Sequence, residues 1–481
     1  MTPFRAPTDD ILASLRRAAR GEDWDADVAA EVIGHFAAFA EGVLAPLDAP
    51  GDAQGCRLDG GRVRMPNGFP AAYAELAEGG WQGLRIPERF GGMGLDPLTG
   101  AGVSEIFSGA NHSLQMVTSL VPGAVEVLLQ FGTPAQQARH IPAMASGETL
   151  ATMALTEPGA GSDLAAIRTR AVRDGEGWRI SGEKIFISGG DQDLSSRILH
   201  LVLARSGDPD SGTRGLSLFL CAPEDGGVSV TRIEDKLGLH ASPTCQLVFD
   251  GARAELVGTE GGGLRAMFAM MNHARLDVAL QGVAHAARAA DLARRYAAER
   301  QQGRDADGRP VTIDHHADVA RMIGECERLA RAGRHLCHLT LAAMQRDQRD
   351  FVEFMTPVCK YACTEGGIRA ADLAIQVMGG YGYLREYGAE QNWRDARICA
   401  IYEGTNGIHA RTTATRSLSL NGGAGARAFA AFLAESGVDP SGWEAEAARI
   451  AALPDPAAEA DAFMQLTARL ALDAVDRRLA M

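Results

Sequence analysis

Apolar residues recur at helical spacing near the start of the chain, where Val32, Phe36, Phe39 and Val43 share one face. Later segments as far as Leu150 keep that character, so the front end is predicted to be helical, with Gly and Pro marking its turns. From Trp178 to Phe249 the period changes. Lys184 to Ser188 alternates, Ile198 to Ala204 and Leu216 to Leu220 are short apolar runs, and Gly or Asp clusters divide them. That pattern predicts strands, assembled as a compact β-barrel. Beyond Gly263 the helical period returns. Met267, Met271, Ala274 and Val278 line one face, followed by Val319, Met322, Ile323 and Cys326, then by Ile368, Ala371, Ile375 and Met378. These stretches predict an antiparallel helical bundle. Asn421 to Gly425 punctuates its end. The Ala-rich stretch from Arg427 to Met481, broken by Pro440, Pro454 and Pro456, reads as a helical appendage.

Composition narrows the class. With 481 residues, 46% of them hydrophobic and 22% charged, the chain exceeds one ordinary domain and has globular chemistry. A formal net charge of -14 opposes a nucleic-acid surface, which needs clustered Lys and Arg, yet leaves room for local recognition of an anionic nucleotide. The start, with Asp9 and Asp10 beside a short apolar stretch, is unlike a leader peptide, and no run reaches transmembrane length. A cytoplasmic protein away from membranes is expected. None of the eight cysteines forms a Cys-x-x-Cys pair. Cys359 and Cys363 on one helical face, with His335, Cys337 and His338 close together, sketch a metal site, but buried apolar thiols explain them better, and no metal is expected.

Two islands carry the chemistry. Thr156-Glu157-Pro158-Gly159-Ala160-Gly161-Ser162-Asp163 combines a compact Pro and Gly backbone with small hydroxyls suited to a planar ring or phosphate edge. Ile401-Tyr402-Glu403-Gly404-Thr405-Asn406-Gly407 offers a lone carboxylate, and Gly404 permits close backbone approach. Glu403 suits removal of an acidic carbon-bound proton. Around the islands stand Ile86 to Leu95, Gly132-Thr133-Pro134, Pro142 to Glu148, Gly182 to Ser188, Asp235 to Thr244, Arg275, Tyr296 to Gly303, Gln376 to Tyr383 and Arg394 to Arg397. In this order they resemble the acyl-CoA dehydrogenase family across nearly the whole chain.

The resemblance implies an α+β multidomain fold: a helical N-terminal domain over 1–150, a central β-barrel over 151–260, a C-terminal four-helix bundle over 261–420 bearing Glu403, and a helical extension over 421–481. It also implies α,β-dehydrogenation of an acyl-CoA thioester with FAD. Glu403 would be the base, and its backbone N–H would donate to the thioester oxygen. Met153, Leu155, Thr156, Gly161 and Ser162 would line the isoalloxazine ring, with Phe186 and Ser188 behind it. Arg300 and Gln302 resemble the segment that reaches the FAD of a neighbouring subunit; Gln376, Gly379, Gly380, Thr405 and Gly407 resemble dinucleotide contacts. Ser162, Asn272, Arg275 and Gly404 would meet the substrate, Arg275 against the CoA moiety. A homodimer or homotetramer follows, with an electron-transfer flavoprotein as acceptor.

Two positions depart from the family pattern: Gly407 stands where Gln is frequent, and Phe186 where Trp is usual. Arg205 and Lys236 read as surface ion-pair partners. The start at Phe4, together with Gln54 to Cys56, Met270 to Asn272 and Gln301 to Arg304, resembles the branch of 3-methylmercaptopropionyl-CoA dehydrogenases and broad-range bacterial enzymes. An acyl-CoA oxidase, using dioxygen, and a noncatalytic DNA-associated flavoprotein of this fold are the competing readings. The acidic balance opposes the second.

Overall fold

The computed structural model describes residues 3–19 and 24–480, except the side chains of Asn272 and His273. The chain divides into two compact units. One gathers the stretch up to Ala45, then Pro97–Ala110, then Arg275 onward; the other comprises Pro46–Asp96 and Asn111–Ala274.

In order, the helices before the sheet are α1 (Thr8–Ala18), α2 (Ala26–Phe39), α3 (Asp48–Gln54), α4 (Phe69–Glu78), α5 (Pro97–Thr118), α6 (Leu120–Phe131) and α7 (Pro134–Ala145). Local chemistry starts several of them. Asp25 caps α2 by accepting from the N–H groups of Asp27 and Val28. Thr133 and Gln136 form a reciprocal capping box on α7, with Pro134 in its first turn. The buried stripe of α2 is Ala29, Ile33, Phe36 and Ala37 rather than the predicted one, of which only Phe36 faces fully inward. Within the helical stretch Ala26–Gln54 an 18-residue window does reach membrane-crossing length and apolarity, with a mean hydropathy of 1.5. That corrects the expectation that no run does. Alanine and few charges give it that composition, while Phe36 packs against Phe107 at 5.6 Å between ring centres.

The front end is not purely helical. A hairpin of β1 (Arg57–Asp59) and β2 (Arg62–Arg64) turns on Gly60 and Gly61, both left-handed at φ 57° and 79°. A two-residue turn of that hand matches strand twist and favours glycine. Ile86 to Leu95, expected within helices, instead folds over one short turn at Glu88–Phe90, with the Gly94 N–H donating to the Ile86 carbonyl at 2.9 Å.

The sheet contains β3 (Thr149–Ala154), β4 (Arg170–Asp174), β5 (Gly177–Ser188), β6 (Arg197–Arg205), β7 (Leu216–Cys221), β8 (Val228–Ile233) and β9 (Thr244–Val257). Its order is β3-β6-β4-β5-β9-β7, with β8 also on β9, and a further β6–β7 pairing brings the order back toward its start. β3 and β6 run parallel, whereas β5 and β9 are long antiparallel partners. The apolar runs predicted for β6 and β7 are buried along nearly their whole length. Trp178, Ile180, Phe219, Leu247 and Phe249 fill the core beneath the sheet.

Helices α8 (Gly263–Glu299), α9 (Ala317–Gln345) and α10 (Arg349–Met378) supply the long members of the bundle, and β10 (Gln301–Arg304) and β11 (Pro310–Thr312) form a hairpin after α8. α8 and α10 approach closely at Gly282 and Gly367: a Cβ on Gly282 would lie 2.4 Å from the Cys363 carbonyl oxygen. Ser14 on α1 lies within hydrogen-bond distance of the Nδ1 atoms of His335 (3.0 Å) and His338 (2.9 Å). Cys337, Cys359 and Cys363 are buried in the bundle, with the Cys337 and Cys363 sulfurs 3.6 Å apart.

After α11 (Ala389–Ala396) and α12 (Asn406–Thr412), the tail forms α13 (Ala424–Glu435), α14 (Ser441–Ala451) and α15 (Ala460–Ala480). It is not an appendage. α13 and α15 pack on α10, and α15 also meets α9 and α12. Phe354 of α10 meets Phe429 and Trp443, and Trp443 stacks on Phe463.

Candidate active site

The first island begins where β3 ends. Its backbone doubles back through paired Glu157 and Ala160, whose N–H groups donate to each other's carbonyls at 3.1 and 3.0 Å. Glu157 turns its carboxylate inward, accepting from the N–H groups of Arg168 (2.7 Å) and Thr169 (3.0 Å) and from the Lys184 ammonium (2.8 Å). Lys184, fully buried on β5, also donates to the Leu155 carbonyl at 2.9 Å. Burial pushes the Lys184 amine down to about 8, with Glu157 pulling the other way. Burial pushes Glu157 up, but Lys184 and the N–H donors outweigh it and leave that carboxyl below its usual range.

This pair ties the loop to the strand that carries Phe186. The Ile185 N–H donates to the Thr156 carbonyl at 2.9 Å, so Met153, Leu155 and Thr156 lie beside the middle of β5. Pairing of β5 with β9 slips between Lys184 and Ile187, and Phe186 occupies that bulge in the left-handed region at φ 59°. A bulky residue held there is strained, and Phe186 stays 59% exposed. Ser188 follows, paired with Thr244. Gly161 and Ser162 are exposed, and a Cβ on Gly159 or Gly161 would enter open space.

The second island lies in the other unit. Glu403 and Gly404 are consecutive left-handed residues, at φ 53° and 89°. Thr405 then caps α12 by accepting from the Ile408 N–H at 3.2 Å. Glu403 as a whole is half-buried, but its Oε2 is enclosed and meets no hydrogen-bond partner among the described residues. Burial pushes its carboxyl up to about 7 against the pull of Arg275 and Lys360, and Asp277 adds to the rise. An enclosed carboxylate with that proton affinity is suited to general-base work near neutral pH. Arg275, expected against the CoA moiety, has its charge facing Glu403.

Lys360, Asn406 and His409 surround the same turn and were not anticipated. The Lys360 ammonium donates to the Gly404 carbonyl and to Asn406 Oδ1, each at 2.9 Å. His409 Nε2 lies 3.1 Å from the Glu403 carbonyl, an acceptor, so this nitrogen carries the proton. Burial, and then Arg275 and Lys360, push His409 down to about 3 and keep it neutral. The signal for Lys360 was a lone lysine inside the apolar stretch Val358 to Cys363.

Arg300, Gln302, Gly379 and Gly380 come together in one cleft of about 520 Å³, also lined by Tyr296 and Tyr381. The Arg300 guanidinium lies over the Tyr381 ring at 5.4 Å. Gln376 sits one turn before Gly379, whose N–H donates to the Gln376 carbonyl. Thr405 and Gly407 are exposed at the start of α12 and do not line this cleft. Asn272 lies on α8, but its side chain is outside the described residues. Arg205 is not a surface ion-pair partner: it is buried and donates to the carbonyls of Ala165, Ile167 and Gly212 at 2.8, 3.1 and 2.9 Å. Lys236 is half-buried and donates to the Ser242 carbonyl at 2.9 Å.

Comparison with known proteins matches three family models in sequence. They are the acyl-CoA dehydrogenase N-terminal domain over residues 31–148, the middle domain over 152–252 and the C-terminal domain over 261–418. The 3-methylmercaptopropionyl-CoA dehydrogenase of Ruegeria pomeroyi is 39% identical, covering 93% of this chain and 82% of that protein. Among solved structures, the butyryl-CoA dehydrogenase of Megasphaera elsdenii aligns with a TM-score of 0.72 at 25% identity, over 80% of this chain and 97% of that one. A chain solved in work on the electron transferring flavoprotein of Acidaminococcus fermentans aligns with a TM-score of 0.72 at 29% identity, over 80% and 96%.

Proposed function

Because this chain belongs to the acyl-CoA dehydrogenase family of flavin-dependent oxidoreductases acting on acyl-CoA, we propose that it converts an acyl-CoA thioester to the trans-2-enoyl thioester, with FAD as its flavin. The residues present fit that dinucleotide. Gly159, Gly161, Gly379 and Gly380 all border open space where backbone can approach a ligand, and Phe186 offers an exposed ring on a strained bulge. Met153, Leu155, Thr156, Gly161, Ser162, Phe186 and Ser188 would hold the ring. Arg300, Gln302, Gln376, Gly379 and Gly380 would hold the dinucleotide end belonging to a neighbouring copy. When bound, the flavin supplies the acceptor for the β-hydrogen as hydride.

The chain's own part is proton removal and orientation. Glu403 Oε2 takes the α-proton, and the Glu403 N–H donates to the thioester oxygen as charge builds there. The observation that carries this reading is the enclosed Oε2 without a partner, on a carboxyl whose proton affinity lies near neutrality between two cations. The Ruegeria pomeroyi relative supports 3-methylmercaptopropionyl-CoA as a first substrate to try, beside butyryl-CoA. The Acidaminococcus fermentans structure supports an electron-transfer flavoprotein as acceptor. Glu403→Gln should purify yellow but lose bleaching of its flavin by acyl-CoA under anaerobic titration, by about 100- to 10,000-fold in rate. Undiminished bleaching rejects Glu403 as base.

A further inference from the structure

The turn that presents Glu403 is gripped from beneath by an amine that the reaction does not consume. Lys360 is fully buried in the middle of α10, flanked by Val358, Cys359, Ala362 and Cys363, all buried. An ammonium in such surroundings persists only when its donors are used. Two acceptors meet it, the Gly404 carbonyl and Asn406 Oδ1. Asn406 is itself fixed to α10, its amide donating to Thr364 Oγ1 at 3.0 Å and Glu365 Oε1 at 2.7 Å. Thr364 in turn donates to the Lys360 carbonyl at 2.7 Å. On the other side, His409 of α12 holds the Glu403 carbonyl. Both carbonyls of the left-handed pair are therefore tied to helices. Without such ties Glu403, which is not a glycine, would relax from φ 53°.

Resting on the reading of Glu403 as base, we propose that Lys360 is a positioning residue. Its ammonium clamps the Gly404 carbonyl and Asn406 and so holds the Glu403–Gly404 backbone in its strained form.

The titratable groups facing the pair are Arg275 and Asp277 from α8, Glu365 from α10, Cys399 and Tyr402 from the chain just before Glu403, and His409 from α12. Burial pushes the Cys399 thiol up to about 12 and the Tyr402 phenol well above its usual range, so both stay protonated near neutrality. Burial also pushes Lys360 down, to about 8, so it still carries charge at pH 7.

The test compares the wild type with Lys360→Met, Lys360→Gln and Glu403→Gln by anaerobic stopped-flow across pH, after flavin content and cooperative melting establish that each is folded. Substrate affinity is read separately from the perturbation of the flavin spectrum. Lys360→Met should slow flavin reduction by about 100-fold with affinity for acyl-CoA nearly unchanged, and should move the acid limb of the rate profile to higher pH. Lys360→Gln keeps an N–H donor without the charge; it should move the limb equally while losing less rate, and it decides the matter if the Met variant fails to fold. Wild-type rate and limb in both variants, or a loss confined to affinity, overturns the proposal. Rapid flavin reduction by Glu403→Gln would instead reject the base itself, whereas an inert Glu403→Gln beside an unmoved limb in the Lys360 variants rejects only the clamp.

Discussion

Two opposed pulls act on the Glu403 carboxyl: enclosure favours the protonated form, while Arg275 and Lys360 favour the charged one, and enclosure prevails at about 7. Proton affinity raised by folding is also a statement about stability. The folded chain binds this proton more tightly than the unfolded chain does. The resulting stabilisation is fully present below the ordinary carboxylate range near pH 4 and is lost as pH rises through about 7. Glutamine cannot ionise. Glu403→Gln should therefore gain stability over the wild type as pH climbs from 5 to 8, by up to about 3 kcal/mol, and little below pH 4. Melting curves at a series of pH values check this; a constant offset would mean that the carboxyl titrates normally in the fold. The proposed base was legible in the sequence because Tyr402 to Thr405 is a contiguous motif. Its supports were not. Lys360 lies 43 positions before Glu403, and a periodicity argument treats lysine as solvent-facing, so only coordinates bring its amine to the Gly404 carbonyl.

Elements were readable where their signal is local. The apolar runs of β6 and β7 follow from period, and the capping box at Thr133 and Gln136 from residues three apart. The tail was not, because its docking depends on aromatic residues up to about a hundred positions apart. Trp443 is 2% exposed, lies 4.8 Å from the Phe429 ring and 5.9 Å from those of Phe354 and Phe463, and donates from its indole to Thr467 at 2.9 Å. Arg328 on α9 adds ion pairs to Asp473 and Asp476 of α15. Proline-broken, Ala-rich sequence gives no hint of that stack. Trp443→Ala should cost about 3 to 5 kcal/mol and lower the melting temperature measurably. Flavin reduction in the folded fraction should persist, since the ring and hydrogen-bond partners of Trp443, namely Phe354, Phe429, Phe463 and Thr467, are not proposed site residues. A tail that merely hung from the bundle would leave the melting temperature unmoved.

At the scale of the molecule, residues proposed to contact FAD occur in each compact unit: Met153 to Ser188 belong to one, and Arg300, Gln302, Gly379 and Gly380 to the other. On the proposed arrangement the Arg300 cleft of each chain serves the flavin used by a neighbour's Glu403. Association then completes the site rather than merely stabilising it. Two inactive variants should complement each other. Glu403→Gln keeps an intact cleft but no base, and Arg300→Glu keeps the base but reverses the charge that the cleft offers a phosphate. In a mixed dimer, one site combines the Arg300→Glu chain's base with the Glu403→Gln chain's cleft and is whole; the other carries both defects. Random pairing of equal amounts makes half the dimers mixed, each with one of two sites intact, so co-expression should recover roughly a quarter of wild-type activity per site. Mixing the separately purified variants without subunit exchange should recover none. If co-expressed dimers of verified mixed composition stay inactive while each variant remains folded, every chain uses its own cleft, and the exchange of FAD contacts between copies is rejected.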